Sequence, residues 1–526
     1  MQKVSSGSTR RSDRSGHGHA IAHLALRFEP VVRMTLMRKS YKEEKKMVIR
    51  NHNSCGASRP ETRRLPAFPG KMLLSAGICF MAMLFWWSAP VLAQEAVSQD
   101  GPPPSSVEES VTPMDKAFEK PLERVRPLEK LKDALKDMPP FLRDTKLDVN
   151  LRTYYFYRDK FDNSKNEAWA LGGSISYKSG YLLDHFGVGA AVYTSQPLHA
   201  PHDRDGSLLL RPGQEEYTVL GQLYGEIKLF EGVFIDLYRK EYNTPYLNKN
   251  DNRMTPNTFE GYTLVGRHGG KDGAPELRYG GGYITKIKER DSADFIPMSE
   301  AAGARTGIER GVALAGANYS TKKYSLGAID YYSEDIINIF YAEGRYTLPL
   351  TERFGALFAA QFSDQRSTGD DLLTGSSFDT HQVGLKGEAS YGGAVLSLAY
   401  TDMTQGANMR SPWSSYPGYT SAQVQDFNRA GEEALMVKGS YDFSRLGLDG
   451  VTFYALWVHG WGAVDPVTKG SVYNQDEYDF DLQWRPKIGV KGLWFRFRYA
   501  HVDQRGGDNS YIDDYRVIVN YDFSLL

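Results

Sequence analysis

Cysteine is almost missing from this chain. Of 526 residues only Cys55 and Cys79 are cysteines, and both precede residue 94. Nothing beyond that point can form a disulfide, so an exported form of the chain is held together by other means. Long apolar runs are equally scarce. A membrane helix needs about 20 consecutive apolar residues, and one segment alone, Met72–Ala93, supplies them. A bundle of membrane helices is excluded. A basic surplus is missing too. The first 93 residues carry 16 of the 63 Lys and Arg and 5 of the 64 Asp and Glu, which leaves 47 basic against 59 acidic residues and a net charge of −12 in the remainder. That sign argues against a nucleic-acid-binding protein.

What is abundant is aromatic: 33 Tyr, 25 Phe and 8 Trp stand beside 51 Gly in a chain whose mean hydropathy is −0.47. Length alone suggests several soluble domains, but this composition does not. The apolar run Met72–Ala93 has Lys71 in front of it and Val91-Leu92-Ala93 before Gln94. It reads as a secretory signal peptide over 72–93, with a transmembrane anchor as the alternative. Cys79 does not fit a lipid-attachment site, because Ile78 stands where a small residue is needed and the apolar run continues past it. Residues 1–71 are basic and rich in Ser, Arg and His. They read as a mis-called extension, with translation starting at Met72 or Met47, or as a disordered tail.

Residues 94–147 read as a periplasmic linker. The stretch 94–113 is rich in Gln, Pro, Ser and Glu and is expected to be disordered. Leu122, Leu128, Leu131 and Leu135 then recur at helical spacing among alternating charges. Pro121 and Pro127 confine the helix to Leu128–Met138. Such a helix is either merely solvated or a contact for a partner or the cell wall.

From Asp148 the pattern changes to period two and stays there to the end. Neighbouring side chains on a strand point to opposite faces, and a membrane-spanning barrel strand sets lipid-facing apolar residues against polar ones facing the lumen. In the last segment Tyr515, Val517, Val519, Tyr521, Phe523 and Leu525 alternate with Arg516, Ile518, Asn520, Asp522 and Ser524. Leu493, Phe495, Phe497 and Tyr499 alternate with Trp494, Arg496, Arg498 and Ala500. Phe480, Leu482 and Trp484 alternate with Asp479, Asp481, Gln483 and Arg485. In the first segment Val149, Leu151, Tyr155 and Tyr157 oppose Asn150, Arg152, Tyr154 and Phe156. About 18 such segments fit between residues 148 and 523, joined alternately by short turns (Glu231-Gly232, Thr321-Lys322, Tyr391-Gly392) and long loops (242–259, 287–309, 403–433). The expected fold is all-β: a closed antiparallel transmembrane β-barrel over 148–526, with short periplasmic turns and long extracellular loops. Closure follows from the solvent. Unpaired backbone groups in hydrocarbon cost several kcal/mol each, and a closed barrel has no edge.

No catalytic constellation is present. The segment after residue 93 has no cysteine, no zinc-type spacing, no nucleophile motif and no phosphate-binding glycine loop. His199 and His202 are two potential metal ligands without a third. The expectation is therefore no enzyme, no metal and no cofactor. The informative charges are those placed on the inner face by alternation: Arg152, Arg158, Arg485, Arg496, Arg498 and Arg516, with Lys386 and Lys438 on other strands. A cation facing lipid near the midplane costs about 2–4 kcal/mol, so these side chains line the lumen. They either pair with Asp479, Asp481, Glu388 and Asp522 as a polar wall, or form an anion-attracting stripe. Their concentration on the first strand and the last three, which become neighbours on closure, favours the stripe.

Five segments together resemble the OprD family of specific outer-membrane porins: LRTYYFYRD at 151–159, KEYNTPYLNKNDNRMTPNTFEGY at 240–262, YPGYTSAQVQDFNRAGE at 416–432, KGLWFRFRYAHVDQ at 491–504 and DDYRVIVNYDFSLL at 513–526. The resemblance implies a monomeric barrel of 18 strands in the cell outer membrane, inserted by the machinery that reads its last strand. It implies passive passage of small solutes, often carboxylates or amino acids, through an eyelet made by inward-folded loops. By position, Arg152, Arg253, Arg496 and Arg498 match a basic ladder; Arg429 lies in a segment where the family pattern is less uniform. Loops 242–259 and 403–433 match the two constriction loops, and Asp426 is a candidate acidic pocket residue. The chain differs in its long segment before residue 148 and in ending on Leu526. The alternative function is an adhesive or structural barrel that binds through its loops.

Overall fold

The structure is a computed structural model and describes residues 129–351, 353–487, 491–505 and 511–526. The segments read as an extension and a signal peptide lie outside the described residues. The linker helix is seen over Glu129–Leu135 (α1), followed by one turn at Pro140–Arg143 (α2). That turn caps the first short hairpin connection: Gly180 N–H donates to Phe141 O at 3.0 Å. A Cβ on Gly180 would lie 2.1 Å from Pro140 O, so this close approach requires glycine.

The rest is strand. The first seven are β1 (Lys146–Asp159), β2 (Lys165–Lys178), β3 (Phe186–His199), β4 (Tyr217–Phe230), β5 (Val233–Lys240), β6 (Thr258–Gly269) and β7 (Glu276–Lys288). A two-residue strand, β8 (Ile296–Pro297), and the turn α3 (Met298–Ala301) sit in the next loop. Then come β9 (Val312–Ser320), β10 (Tyr324–Ser333), β11 (Ile337–Pro349), β12 (Phe354–Arg366), β13 (Asp379–Tyr391) and β14 (Ala394–Met403). The last are β15 (Glu433–Asp442), β16 (Val451–Trp461), β17 (Gln475–Trp484), β18 (Leu493–Gln504) and β19 (Tyr511–Ser524). Leaving out β8, 18 strands pair antiparallel with their chain neighbours, β7 pairs directly with β9, and β1 pairs with β19. The sheet is therefore a closed barrel, as the alternation requires. Its first strand begins two residues earlier than the pattern indicated, at Lys146.

The barrel is apolar outside and polar inside. Leu326, Phe358, Leu385 and Leu398 are half or more exposed, while Gln361, Gln382, Thr401 and Glu388 on the opposite faces are buried. In water that arrangement would aggregate; against hydrocarbon it is the stable one. Both termini of the barrel lie at the end with short turns. The opposite end carries the long connections 200–216, 241–257, 289–311, 367–378, 404–432 and 462–474, along with short ones at 160–164 and 334–336.

Three of those long loops do not project away. Tyr246 and Leu247 from loop 241–257, Met298 from loop 289–311, and Met409, Trp413 and Tyr416 from loop 404–432 are buried with the wall residues Ile284, Ile287, Tyr331, Ile339 and Tyr341 in one apolar cluster. Trp413 Nε1 donates to Met298 O at 2.9 Å, Leu247 and Trp413 form a parallel β-bridge, and Tyr246 Oη donates to Ser363 Oγ at 3.0 Å. The Tyr246 ring meets Tyr331, Tyr341 and Tyr416 edge-on at 6.1–6.3 Å. A hydrophobic core inside a barrel lumen gives the loops a fixed place.

Candidate functional site

The seam where the chain closes sets the site. Because β18, β19, β1 and β2 pair without a bulge up to Ala170, their inward residues fall into rows. One row holds Asp481, Arg498, Arg516 and Phe156; the next towards the short turns holds Gln483, Arg496, Ile518 and Tyr154; the next on the other side holds Asp479, Ala500, Asp514 and Arg158. Arg498 and Arg516 are direct cross-strand partners. Like charges side by side destabilise a sheet, so each needs compensation.

Carboxylates supply it, in a ratio of one to two. Arg496 Nη2 and Arg498 Nε both lie 2.8 Å from Asp481 Oδ2. Arg158 Nε lies 2.8 Å and Arg516 Nε 2.6 Å from opposite oxygens of Asp514. Each buried carboxylate thus serves two guanidiniums, and each group keeps a net positive charge. Arg498 also donates to Tyr454 Oη at 3.1 Å, and Lys438 Nζ sits 4.4 Å from the centroid of the same Tyr454 ring.

Loop 241–257 adds to the row. Arg152 grips Asp251 with two parallel hydrogen bonds of 2.6 and 3.1 Å and also binds Asn520 Oδ1 at 2.7 Å. Arg253 differs. Its bonds go to neutral oxygens, Ser207 O at 3.0 Å and Asn252 O at 2.9 Å, and it forms no ion pair among the described residues. Burial, together with the neighbouring Arg516, Arg290 and Arg158, pushes its pKa down. An arginine stays protonated all the same. Phe156 is what makes this tolerable: the guanidiniums of Arg253, Arg158 and Arg516 lie 5.0, 5.4 and 5.5 Å from its ring centroid. A ring face attracts cations, so Phe156 is the shared counter-surface of three arginines. Tyr154, fully buried, has its hydroxyl 3.4 Å from Asn252 O.

Loop 404–432 brings the opposite polarity. Asp426 accepts from Ser421 Oγ at 2.8 Å, and burial raises its pKa more than that bond and the nearby Arg290 lower it. Arg290, in loop 289–311, donates to Asn252 Oδ1 at 2.6 Å and is a charge that sequence periodicity could not place.

The structure therefore brings together Arg152, Tyr154, Arg158, Arg253, Arg496, Arg498 and Arg516, with Lys438 at the margin. Two expected members stand apart. Arg429 is held between its own loop and the next, donating to Glu432 Oε2 at 3.0 Å and to Tyr473 O of loop 462–474 at 2.8 Å. Arg485 follows the last residue of β17 and lies in the short turn at the barrel's other end, over the Trp494 ring at 5.5 Å. Its charged neighbours include Arg496 and Asp522. Asp251, Phe156 and Arg290 were not singled out from sequence, the first and last because loop residues carry no periodic signal.

Comparison with known proteins agrees with the closed 18-strand barrel. Residues 139–525 match the family model described as outer membrane porin, OprD family. Porin D of Pseudomonas aeruginosa is 25% identical over 437 residues, covering 73% of this chain and 92% of that protein. Porin-like protein GalP of Pseudomonas putida is 22% identical over 404 residues, covering 73% and 93%. Among solved structures, Pseudomonas aeruginosa OccK9 superposes with a TM-score of 0.65 at 25% identity, covering 74% of this chain and all of that one. Pseudomonas aeruginosa OpdK, solved with vanillate, superposes with a TM-score of 0.63 at 24% identity, covering 73% of this chain and all of that one. The match spans the whole barrel, and the chain belongs to the OprD family of substrate-specific outer-membrane porins.

Proposed function

We propose that this porin is a passive, selective channel for small carboxylate-bearing solutes, amino acids included, and that the arginine row at the closure seam is what attracts them. The single observation that carries this reading is Arg253, a buried cation beside the shared Phe156 face that forms no ion pair among the described residues and has Arg516, Arg290 and Arg158 as neighbours. A carboxylate arriving there would meet an unmatched guanidinium and neighbouring pairs that each hold two arginines per acid. Asp426 and Ser421 on the facing loop suit an ammonium group, which extends the reading to zwitterions. The vanillate seen in the OpdK structure is an aromatic carboxylate, and the tyrosines and Phe156 here suit such a ring. No energy source is needed; the solute gradient drives flow.

Swelling of proteoliposomes tests this. Small carboxylates and amino acids are expected to enter several times faster than neutral sugars of the same mass. Equal rates for all would refute selectivity, and no swelling with any solute would favour a barrel that works as an adhesin through its loops.

A further inference from the structure

The acids Glu477 and Asp479 on β17 are fully buried and face inward, yet the arginine pairs do not consume them. Their partners come from the tip of loop 404–432. Val424 N–H and Gln425 N–H each donate to one oxygen of Glu477 at 2.7 Å, and Gln423 N–H donates to Asp479 Oδ2 at 2.9 Å. The same tip is held from β19: Gln423 Nε2 donates to Asp514 Oδ1 at 2.8 Å, and Arg516 donates to Gln423 O at 3.1 Å. Ala500, between Asp479 and Asp514 in the row, is fully buried and is the small residue beneath this seat.

The loop is rooted on β14 and β15 and is pinned midway by Tyr419 Oη to Glu343 Oε1 at 2.7 Å on β11. Its two holds are six to eight strands apart in an 18-strand ring, and the segment between them packs inside the barrel against the intervening wall, with the Thr420 hydroxyl 2.7 Å from that of Thr401 on β14 and Ala422 against the cluster of Ala399, Met436 and Tyr454. Phe427, just past the tip, is buried with φ at 51°, a left-handed conformation that a phenylalanine does not choose by itself. Neighbours hold the loop in this shape. Three consecutive backbone amides thus find acceptors on two buried acids, and leaving such buried donors unsatisfied is costly.

We propose that Glu477, with Asp479 beside it, is a positioning residue for the constriction: a wall anchor that holds the tip 422–425 at a fixed place inside the lumen and so sets the width of the opening. The inference rests on the channel reading, because what the anchor positions is the eyelet of that channel. Glu477 itself need not touch the solute.

The test is single-channel recording of the full chain in planar bilayers, with barrel integrity checked by the mobility shift on heating. Glu477→Gln puts an amide where two N–H donors need acceptors. Its conductance is expected to rise at least twofold, with flickering openings, and Glu477→Asp is expected to restore part of the loss. Val424→Pro removes the donating amide while leaving the wall intact and is expected to do the same, which covers a failure of Glu477→Gln to fold. In a chain whose residues 422–425 are replaced by two glycines, Glu477→Gln is expected to change conductance by less than a fifth, since there is no tip left to hold. Wild-type conductance and noise in both anchor variants would overturn the proposal. So would an equal effect of Glu477→Gln with and without the tip, because the residue would then act on the permeating ion directly. A silent wild-type channel would instead overturn the channel reading itself.

Discussion

Arg253→Ala is expected to weaken block of the channel by a small carboxylate by about 10- to 100-fold, with barrel stability unchanged. A hydrogen bond to a charged group contributes about 1.5–3 kcal/mol, and about 1.4 kcal/mol is tenfold in a binding constant. The whole of that difference falls on the solute, because Arg253 has no carboxylate partner to leave stranded. Its protein partners are the neutral Ser207 O and Asn252 O, and its removal relieves repulsion from Arg516, Arg290 and Arg158. The contrast is with Arg498→Ala, which leaves Asp481 shared by one arginine instead of two and changes the wall itself. Carboxylate block of single-channel current checks the claim. Unchanged block in Arg253→Ala would remove the residue from the solute path.

The second large effect is expected from Trp413→Ala. Trp413 is fully buried where loops 241–257, 289–311 and 404–432 meet, and its indole bonds Met298 O across two of them. Truncating a buried tryptophan costs about 3–5 kcal/mol through lost burial and the cavity left behind. That cost falls on the loops. The 18 wall strands are held by their own ladders and by lipid, so the barrel is expected to persist, with its heat-dependent gel mobility unchanged. The lumen is expected to open: conductance should rise several-fold and discrimination between carboxylates and sugars should shrink towards one. Wild-type selectivity in a folded Trp413→Ala protein would show that the intraluminal core does not set the eyelet.

The wall was legible in the sequence and the lumen was only partly so, for one physical reason. A strand in a bilayer must alternate, because a misplaced charge on the lipid side is expensive. That constraint is local and repeats every two residues, so Arg496, Arg498 and Arg516 could be assigned to the inner face without knowing the fold. Closure then placed Arg516 beside Phe156 and Arg158 beside Asp514. Alternation is blind to where a strand ends, which is why Arg485 was read as a strand residue although it lies in the turn after β17. It is also blind to partners: Asp479 was recognisably inward, but the amide it accepts from lies more than 50 residues earlier. In the loops there is no period to read. Tyr246, Leu247 and Trp413 look like ordinary residues of long connections, and their core forms only because the barrel brings three loops to one mouth. Arg429 and Asp426 belong to one loop segment, yet the fold binds one to Glu432 and gives the other to the tip.

The most direct test of the central claim is the zero-current potential of the wild-type channel across a tenfold KCl gradient at neutral pH. A seam in which Asp481 and Asp514 each serve two arginines, with Arg253 outside any ion pair among the described residues, predicts a potential whose sign marks chloride as the favoured ion, even though the chain beyond residue 93 is acidic overall. A potential of the opposite sign, or one at zero, would contradict an anion-attracting seam.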